Sequence, residues 1–300
     1  MSDLLVLEPH VKDLGGGFQV RRLLPSARRQ AVGPFLFFDH FGPITAGPDD
    51  NHDVRPHPHI GLATVTYLFE GAMLHRDSTG VVQRIEPGAL NWMTAGRGIV
   101  HSERTPDDLR GRERRSHGLQ LWAALPEADE EIEPSFSHTP AAALPVQSVA
   151  EAPGLALRVL IGIAFGRRSP VPVRSPTVYV DVALDPGAAL DLAASHTPEA
   201  PERALYAVDG AIALDGVGVE PHRLVVLPEG RTVRIAGAAG AAVRLVLVGG
   251  APFGHRHLYW NFVSSRRERL REAADDWQAG RFAQVPGETE FIPLPERRPT

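Results

Sequence analysis

The sequence predicts an all-β protein, two tandem antiparallel barrels followed by one α-helix. Three observations predict it. Runs rich in β-branched and aromatic residues are short, and they are cut by Gly and Pro, which number 29 and 27 in 300 residues; short strands so punctuated make barrels or sandwiches. The two halves echo each other: Glu70-Gly71 answers to Asp209-Gly210, Glu86-Pro87 to Glu220-Pro221 and Gly96-Arg97 to Gly230-Arg231. The step from Pro87 to Gly96 is nine residues, as is that from Pro221 to Gly230, which is the signature of a repeated unit. Near the end, Leu270, Ala273, Ala274 and Trp277 recur at helical spacing.

Taken in order, Phe18–Leu24 reads as a first strand and Phe35–Phe38 as a short buried strand leading into Asp39-His40, where the histidine reads as structural. Residues 44–54 form a polar loop in which His52 is solvated. Ile60–Phe69 is a strand that stops at the Glu70-Gly71 turn, and Gly80 and Pro87-Gly88 end the next two runs. Residues 104–116 mix both charge signs and read as a solvated loop; Gly118–Leu125 is again a strand. The acidic, Pro-rich stretch from Pro126 to Pro145 reads as an inter-domain linker, with part of it open to being tied down against the barrel. It divides the chain into domains 1–140 and 141–300. Strands then resume at Leu155–Ile163 and Val178–Leu184. Ser265 and Glu268 have the spacing of a capping box before the helical stripe, and Gly280 ends it.

The chemistry concentrates in residues 55–103. This stretch opens with Arg55-Pro56-His57-Pro58-His59 and closes with His101-Ser102-Glu103. In a strand, residues i and i+2 point to the same face. His57 and His59 therefore share a face, and so do His101 and Glu103. Three imidazoles and a carboxylate suit one divalent first-row metal: iron, manganese, nickel, copper or zinc. If His57 and His59 face the barrel lumen, uninterrupted alternation carries Gly61, Ala63, Val65, Tyr67 and Phe69 to that face, unless a bulge intervenes. The pair His255/His257 has no second ligand pair at barrel spacing and reads as a loop feature.

The repeat forecasts the second barrel's fate. Aligning Gly71 with Gly210 sets His196 against His57 and Pro198 against His59; aligning Gly96 with Gly230 sets Ile235 against His101 and Gly237 against Glu103. With three of the four ligand positions lost, the C-terminal barrel is expected to be metal-free.

The strings HPHIGLATVTYLFEGAMLHRDSTG, EPGALNWMTAGRGIVHSE and HGLQLWAALP, with Phe38-Asp39-His40-Phe41-Gly42-Pro43 upstream, resemble the pirin family of two-domain cupins in the same order. Leu258–Val263 resembles the tail of part of that family. The resemblance implies a tandem cupin (double-stranded β-helix, jelly-roll) fold. It implies one metal, usually Fe2+, in the N-terminal barrel, with His57, His59, His101 and Glu103 as its ligands. It also implies a quercetin 2,3-dioxygenase type of activity, using a flavonol and O2, with Glu103 both ligand and general base. The other reading it allows is a non-enzymatic iron-binding regulator that binds a transcription factor or a metabolic enzyme.

Composition bounds the rest. Net charge is -5, and no basic stripe offers a nucleic-acid surface. Cysteine is absent, so there is neither a disulfide framework nor a thiolate ligand. MSDLLVLEPHVKD is too short and too charged for a secretion signal, and no run of about 18 apolar residues spells a membrane span. The expectation is a cytoplasmic protein.

Overall fold

A computed structural model describes residues 4–15, 17–149 and 152–296. Met1–Asp3 and the last four residues, which the N-terminal reading and the two domain ranges include, lie outside the described residues. Among the described residues the fold is two β-barrels with one α-helix, Arg267–Gln278.

Each barrel packs a larger sheet against a four-stranded one. In the first barrel, Ser135–Thr139, Leu90–Thr94, Leu62–Glu70, Arg114–Ala124 and Phe35–Ala46 are neighbours in that order in the larger sheet. The smaller sheet runs Val54–His59, Ile99–Arg104, Met73–Asp77, Val82–Ile85. In the second barrel the larger sheet carries Leu224–Leu227, Glu202–Asp209, Val243–Gly250 and Thr177–Leu184 in order; the smaller one runs Ala189–Leu192, Val233–Gly237, Ile212–Leu214, Val217–Val219. The two orders match strand for strand, so the sequence repeat is a structural repeat.

The compact units differ from a division at residue 140. One unit comprises 4–11, 21–38 and 142–252; the other comprises 12–20, 39–141 and 253–296. Leu5–Leu7 pairs with Leu224–Leu227 as an added edge strand of the second barrel. The tail belongs with the first barrel. There Glu130 accepts hydrogen bonds from the Ser264 hydroxyl (2.9 Å) and the Ser265 amide (2.8 Å), and Arg256 lies 3.0 Å from it. Glu130 is 3% exposed, so the linker stretch is tied down in part, the alternative its reading left open, and Ser135–Thr139 within it is a strand paired with Leu90–Thr94.

Other local expectations shift. The Phe35 strand continues to Ala46. His52 is half-buried and stacks on Phe18 at 5.0 Å rather than lying in solvent. In 104–116, Arg110 pairs with Asp53 at 2.8 Å and Arg104 with Glu288, so this segment is anchored. The helix forms with Leu270, Ala273 and Ala274 buried, but no side chain caps it: Ser265 Oγ donates to Glu130 instead. Gly280, at φ +67°, ends the helix as its sequence implies.

Candidate metal centre

The four-stranded sheet of the first barrel assembles the site. Val54–His59 and Ile99–Arg104 are antiparallel neighbours, with His101 opposite His57 and Ile99 opposite His59. On its other side Ile99–Arg104 pairs with Met73–Asp77, which sets Asp77 opposite His101 and His75 opposite Glu103. Alternation then places His57, His59, His101, Glu103, His75 and Asp77 on one face.

The face is the lumen. The ring of His59 meets Trp122 edge-on at 5.1 Å, and Trp122 pairs with Thr64 on the opposing sheet. Cross-strand partners share a face, so Leu62, Thr64, Thr66 and Leu68 look into the lumen; Leu68 packs there with Ile85 and Met73. This corrects the expectation for Gly61, Ala63, Val65, Tyr67 and Phe69. Val54–His59 and Leu62–Glu70 belong to different sheets, and the chain bends between them at Gly61, with φ +67°. A Cβ at Gly61 would lie 2.0 Å from the Val263 carbonyl oxygen, so only glycine makes that bend, and the bend resets the alternation.

The imidazoles of His57, His59 and His101 converge, one nitrogen of each lying within 4.8 Å of the others. Their outer nitrogens are held in turn. His57 Nδ1 lies 2.9 Å from the Arg55 carbonyl, and His59 Nδ1 lies 3.2 Å from the Asn261 carbonyl. A carbonyl can only accept, so both Nδ1 atoms carry protons and both Nε2 atoms present lone pairs. His59 Nε2 and His101 Nε2 approach to 3.1 Å. Buried lone pairs turned on one point are what a cation satisfies, and the donor set fits a divalent metal.

Burial fixes the protonation states. It pushes the pKa of His57 down to about 4, and it holds those of His59 and His101 well below the usual value, with the neighbouring rings adding to the effect. All three are neutral at pH 7, the form that ligates. Glu103 stands apart. Its carboxylate is outside the 4.8 Å cluster, and it lines a small cavity of about 40 Å³ with Phe18, His52 and Met73. Although the residue is only half-buried, burial of its carboxyl pushes its pKa up to about 7.

Sequence reasoning passed over His75 and Asp77. His75 Nε2 lies 2.9 Å from Asp77 Oδ2, its Nδ1 lies 3.4 Å from His101 Nδ1, and its ring stacks on Phe136 at 4.3 Å. Both residues are buried. The signal was present: Met73-Leu-His-Arg-Asp77, between Gly71 and Gly80, has the same i, i+2 spacing as the other pairs. The remaining histidines serve elsewhere. His40 and His117 bond each other at 2.8 Å, and His255 and His257 are 3.3 Å apart in an exposed segment.

A second cavity, of about 510 Å³, lies against Pro56 and Val100 and is lined by Trp277, Phe282 and Phe291. Pro56 and Val100 alternate with the histidines, so this cavity opens on the outer face of the sheet.

Known proteins bear out the architecture. Family models described as pirin and as pirin C-terminal cupin domain match residues 17–123 and 179–283. A pirin-like protein of Caulobacter vibrioides is 46% identical over 97% of this chain and 99% of its own length. Pirin of Rattus norvegicus is 34% identical over 88% of this chain and 87% of its own. The crystal structure of quercetin 2,3-dioxygenase from Acinetobacter baumannii is similar with a TM-score of 0.88 at 34% identity, covering 98% of this chain and 96% of that one.

Proposed function

The chain belongs to the pirin family, and from that premise we propose that it is a metal-dependent dioxygenase of the quercetin 2,3-dioxygenase type, acting on a flavonol and O2 in the cytoplasm. The observation that carries the reading is the convergence of three neutral, outward-anchored imidazoles on one buried point. The likeness to a quercetin 2,3-dioxygenase at 34% identity over nearly the whole chain supports the substrate class.

His57, His59 and His101 would hold the metal, with Glu103 as the fourth donor after a side-chain turn toward the cluster, and Fe2+ is the ion we assign. Bound there, a redox-active divalent ion supplies Lewis acidity toward an acidic hydroxyl and the electron transfer that O2 chemistry demands. The protein's residues do the rest. The carbonyls of Arg55 and Asn261 hold His57 and His59 in the ligating tautomer. Glu103, turned toward the cluster, would take the proton of the flavonol 3-hydroxyl as general base. Trp122, Thr64 and Leu68 form the wall opposite the histidines and keep bulk water from the reacting substrate.

The test is metal content and turnover together. Protein purified without a chelating tag is analysed by mass spectrometry for metals and assayed with quercetin in air, with carbon monoxide as the diagnostic product. One iron per chain with catalytic turnover, lost in Glu103→Gln while the fold persists, supports the reading. One metal without turnover moves the function to metal-dependent partner binding. No metal after ferrous reconstitution ends both.

A further inference from the structure

We propose that Asp77 and His75 are positioning residues that set the tautomer of His101, and through it the metal affinity of the site. The inference rests on the reading above only in taking the three imidazoles as ligands.

His57 and His59 have backbone carbonyls behind them, and a carbonyl leaves no choice of tautomer. Among the described residues His101 has no such carbonyl at the corresponding nitrogen. Its Nδ1 faces His75 Nδ1 at 3.4 Å. An imidazole nitrogen can donate or accept, so this contact works in either of two senses. The sense is decided one step further out. His75 Nε2 faces Asp77 Oδ2 at 2.9 Å, and an ionised carboxylate can only accept. Asp77 stands as a carboxylate on its geometry: one oxygen accepts from the Thr79 amide, the Thr79 hydroxyl and the Val81 amide, donors that an ionised carboxylate satisfies best. His75 Nε2 therefore carries the proton, and in the neutral imidazole Nδ1 keeps the lone pair. His101 Nδ1 must then donate, and His101 Nε2 presents its lone pair to the cluster.

The orientation of Asp77 is fixed as firmly. Its Oδ1 accepts from the Thr79 amide at 2.8 Å, the Thr79 hydroxyl at 2.6 Å and the Val81 amide at 3.3 Å. These donors claim one oxygen and leave the other for His75. The stack of His75 on Phe136, with rings 21° apart, stops the imidazole from turning out of line. A buried chain of hydrogen bonds with a single allowed sense thus runs from Asp77 through His75 to His101, and such outer partners orient a ligand and raise its basicity.

Asp77→Asn tests this at nearly constant shape. Two backbone amides still demand an acceptor, so the amide oxygen takes the Oδ1 place and its NH2 faces His75. That reverses the chain: His75 Nε2 accepts, His75 Nδ1 donates, and His101 Nδ1 must accept, leaving a proton on His101 Nε2 where the metal binds. In metal-free protein, long-range 1H–15N spectra should show His101 protonated on Nδ1 in the natural chain and on Nε2 in Asp77→Asn. Competition titration with Mn2+ should show affinity falling by about ten- to a hundredfold. His75→Phe keeps the stack on Phe136 but removes the relay, and should weaken Mn2+ by a similar factor. The double variant should be no weaker than His75→Phe alone, because Asp77 acts through His75.

An unchanged His101 tautomer and Mn2+ affinity within twofold in Asp77→Asn would overturn the proposal. Should Asp77→Asn fail to fold, His75→Phe carries the test, and Mn2+ affinity unchanged there overturns it equally. If the natural chain binds no divalent metal, the functional reading fails, while the tautomer spectra of the metal-free protein still decide this inference.

Discussion

The two barrels share one strand order and differ in what fills the lumen. Where the first barrel pairs His59 with Ile99 and His57 with His101, the second pairs Leu192 with Val233 and Leu190 with Ile235. Where the first sets Asp77 against His101 and His75 against Glu103, the second sets Leu214 against Ile235 and Ile212 against Gly237. Every polar group of the histidine face thus has an aliphatic residue or glycine in its place. The second lumen is a packed core in which Leu190, Leu192, Ile212, Leu214 and Ile235 are all buried among neighbours of their own kind. The scaffold does not demand histidine; it stands as well on leucine. The first barrel gives up apolar packing for a cluster of buried polar groups that could hold a cation.

The comparison breaks most visibly if the first lumen is converted into the second. Replacing His57, His59 and His101 with Leu, Leu and Ile should abolish metal binding altogether, read by mass spectrometry of the purified chain. Metal-free, that variant should be no less stable than its parent, since it exchanges buried polar groups for hydrocarbon.

The reverse exchange comes next in size. Leu192→His buries an imidazole in an apolar lumen without a partner and removes well-packed carbon. We expect it to cost about 3–5 kcal/mol in urea denaturation. A cost below about 1 kcal/mol would mean the second lumen tolerates polarity and the contrast between barrels is weaker than its packing implies.

The histidines also write a pH signature on the first barrel alone. His57 has a folded pKa of about 4, below the unfolded value of about 6.5. Between these values the unfolded chain binds more protons, so stability falls as pH drops from about 6.5 to about 4, by about 3 kcal/mol for this group. Glu103 works oppositely: its folded pKa of about 7 exceeds the unfolded value of about 4.3, so its contribution is lost as pH rises through that window. Metal-free stability measured against pH should lose most of its acid-side slope in the triple variant, and keep it if the slope arises in the second barrel.

The smallest effect concerns the tail, which only the first barrel carries. Glu130→Ala removes the acceptor of Ser264 and Ser265 and should cost about 2 kcal/mol. Hydrogen exchange should rise in Leu258–Gln278. Uniform protection there would show that the aromatic and aliphatic packing of Leu270, Ala273 and Phe262 holds the tail unaided.

Much of this was legible in the chain. Features set by local spacing could be read directly. The i, i+2 pairs on strands, the helical stripe at 270–277 and the turn glycines each depend on a few neighbouring residues. The repeat could be read because its turns recur at equal steps, and it located Ile235 and Gly237 opposite His101 and Glu103. It misplaced His196 as the counterpart of His57. His196 sits in a short turn, Ala194–His196, where its Nδ1 accepts from the Ala193 amide. The strand Ala189–Leu192 supplies Leu190 and Leu192 instead, because the connection from this strand to Gly210 is longer than its counterpart.

What the sequence by itself determined is therefore the fold class, the shared face of the His57/His59 and His101/Glu103 pairs, and the aliphatic residues and glycine at the matching positions of the second barrel. Each follows from the period of a strand or helix and the chemistry of single residues. Tertiary structure alone decided which wall faces the histidine cluster, because one left-handed glycine at position 61 resets the alternation between two successive strands. It also joined His75 and Asp77 to His101, 26 residues apart for the two rings in contact, and it gave the tail to the first barrel. Pairing between distant strands is set by the whole sheet's packing, and no local period encodes it.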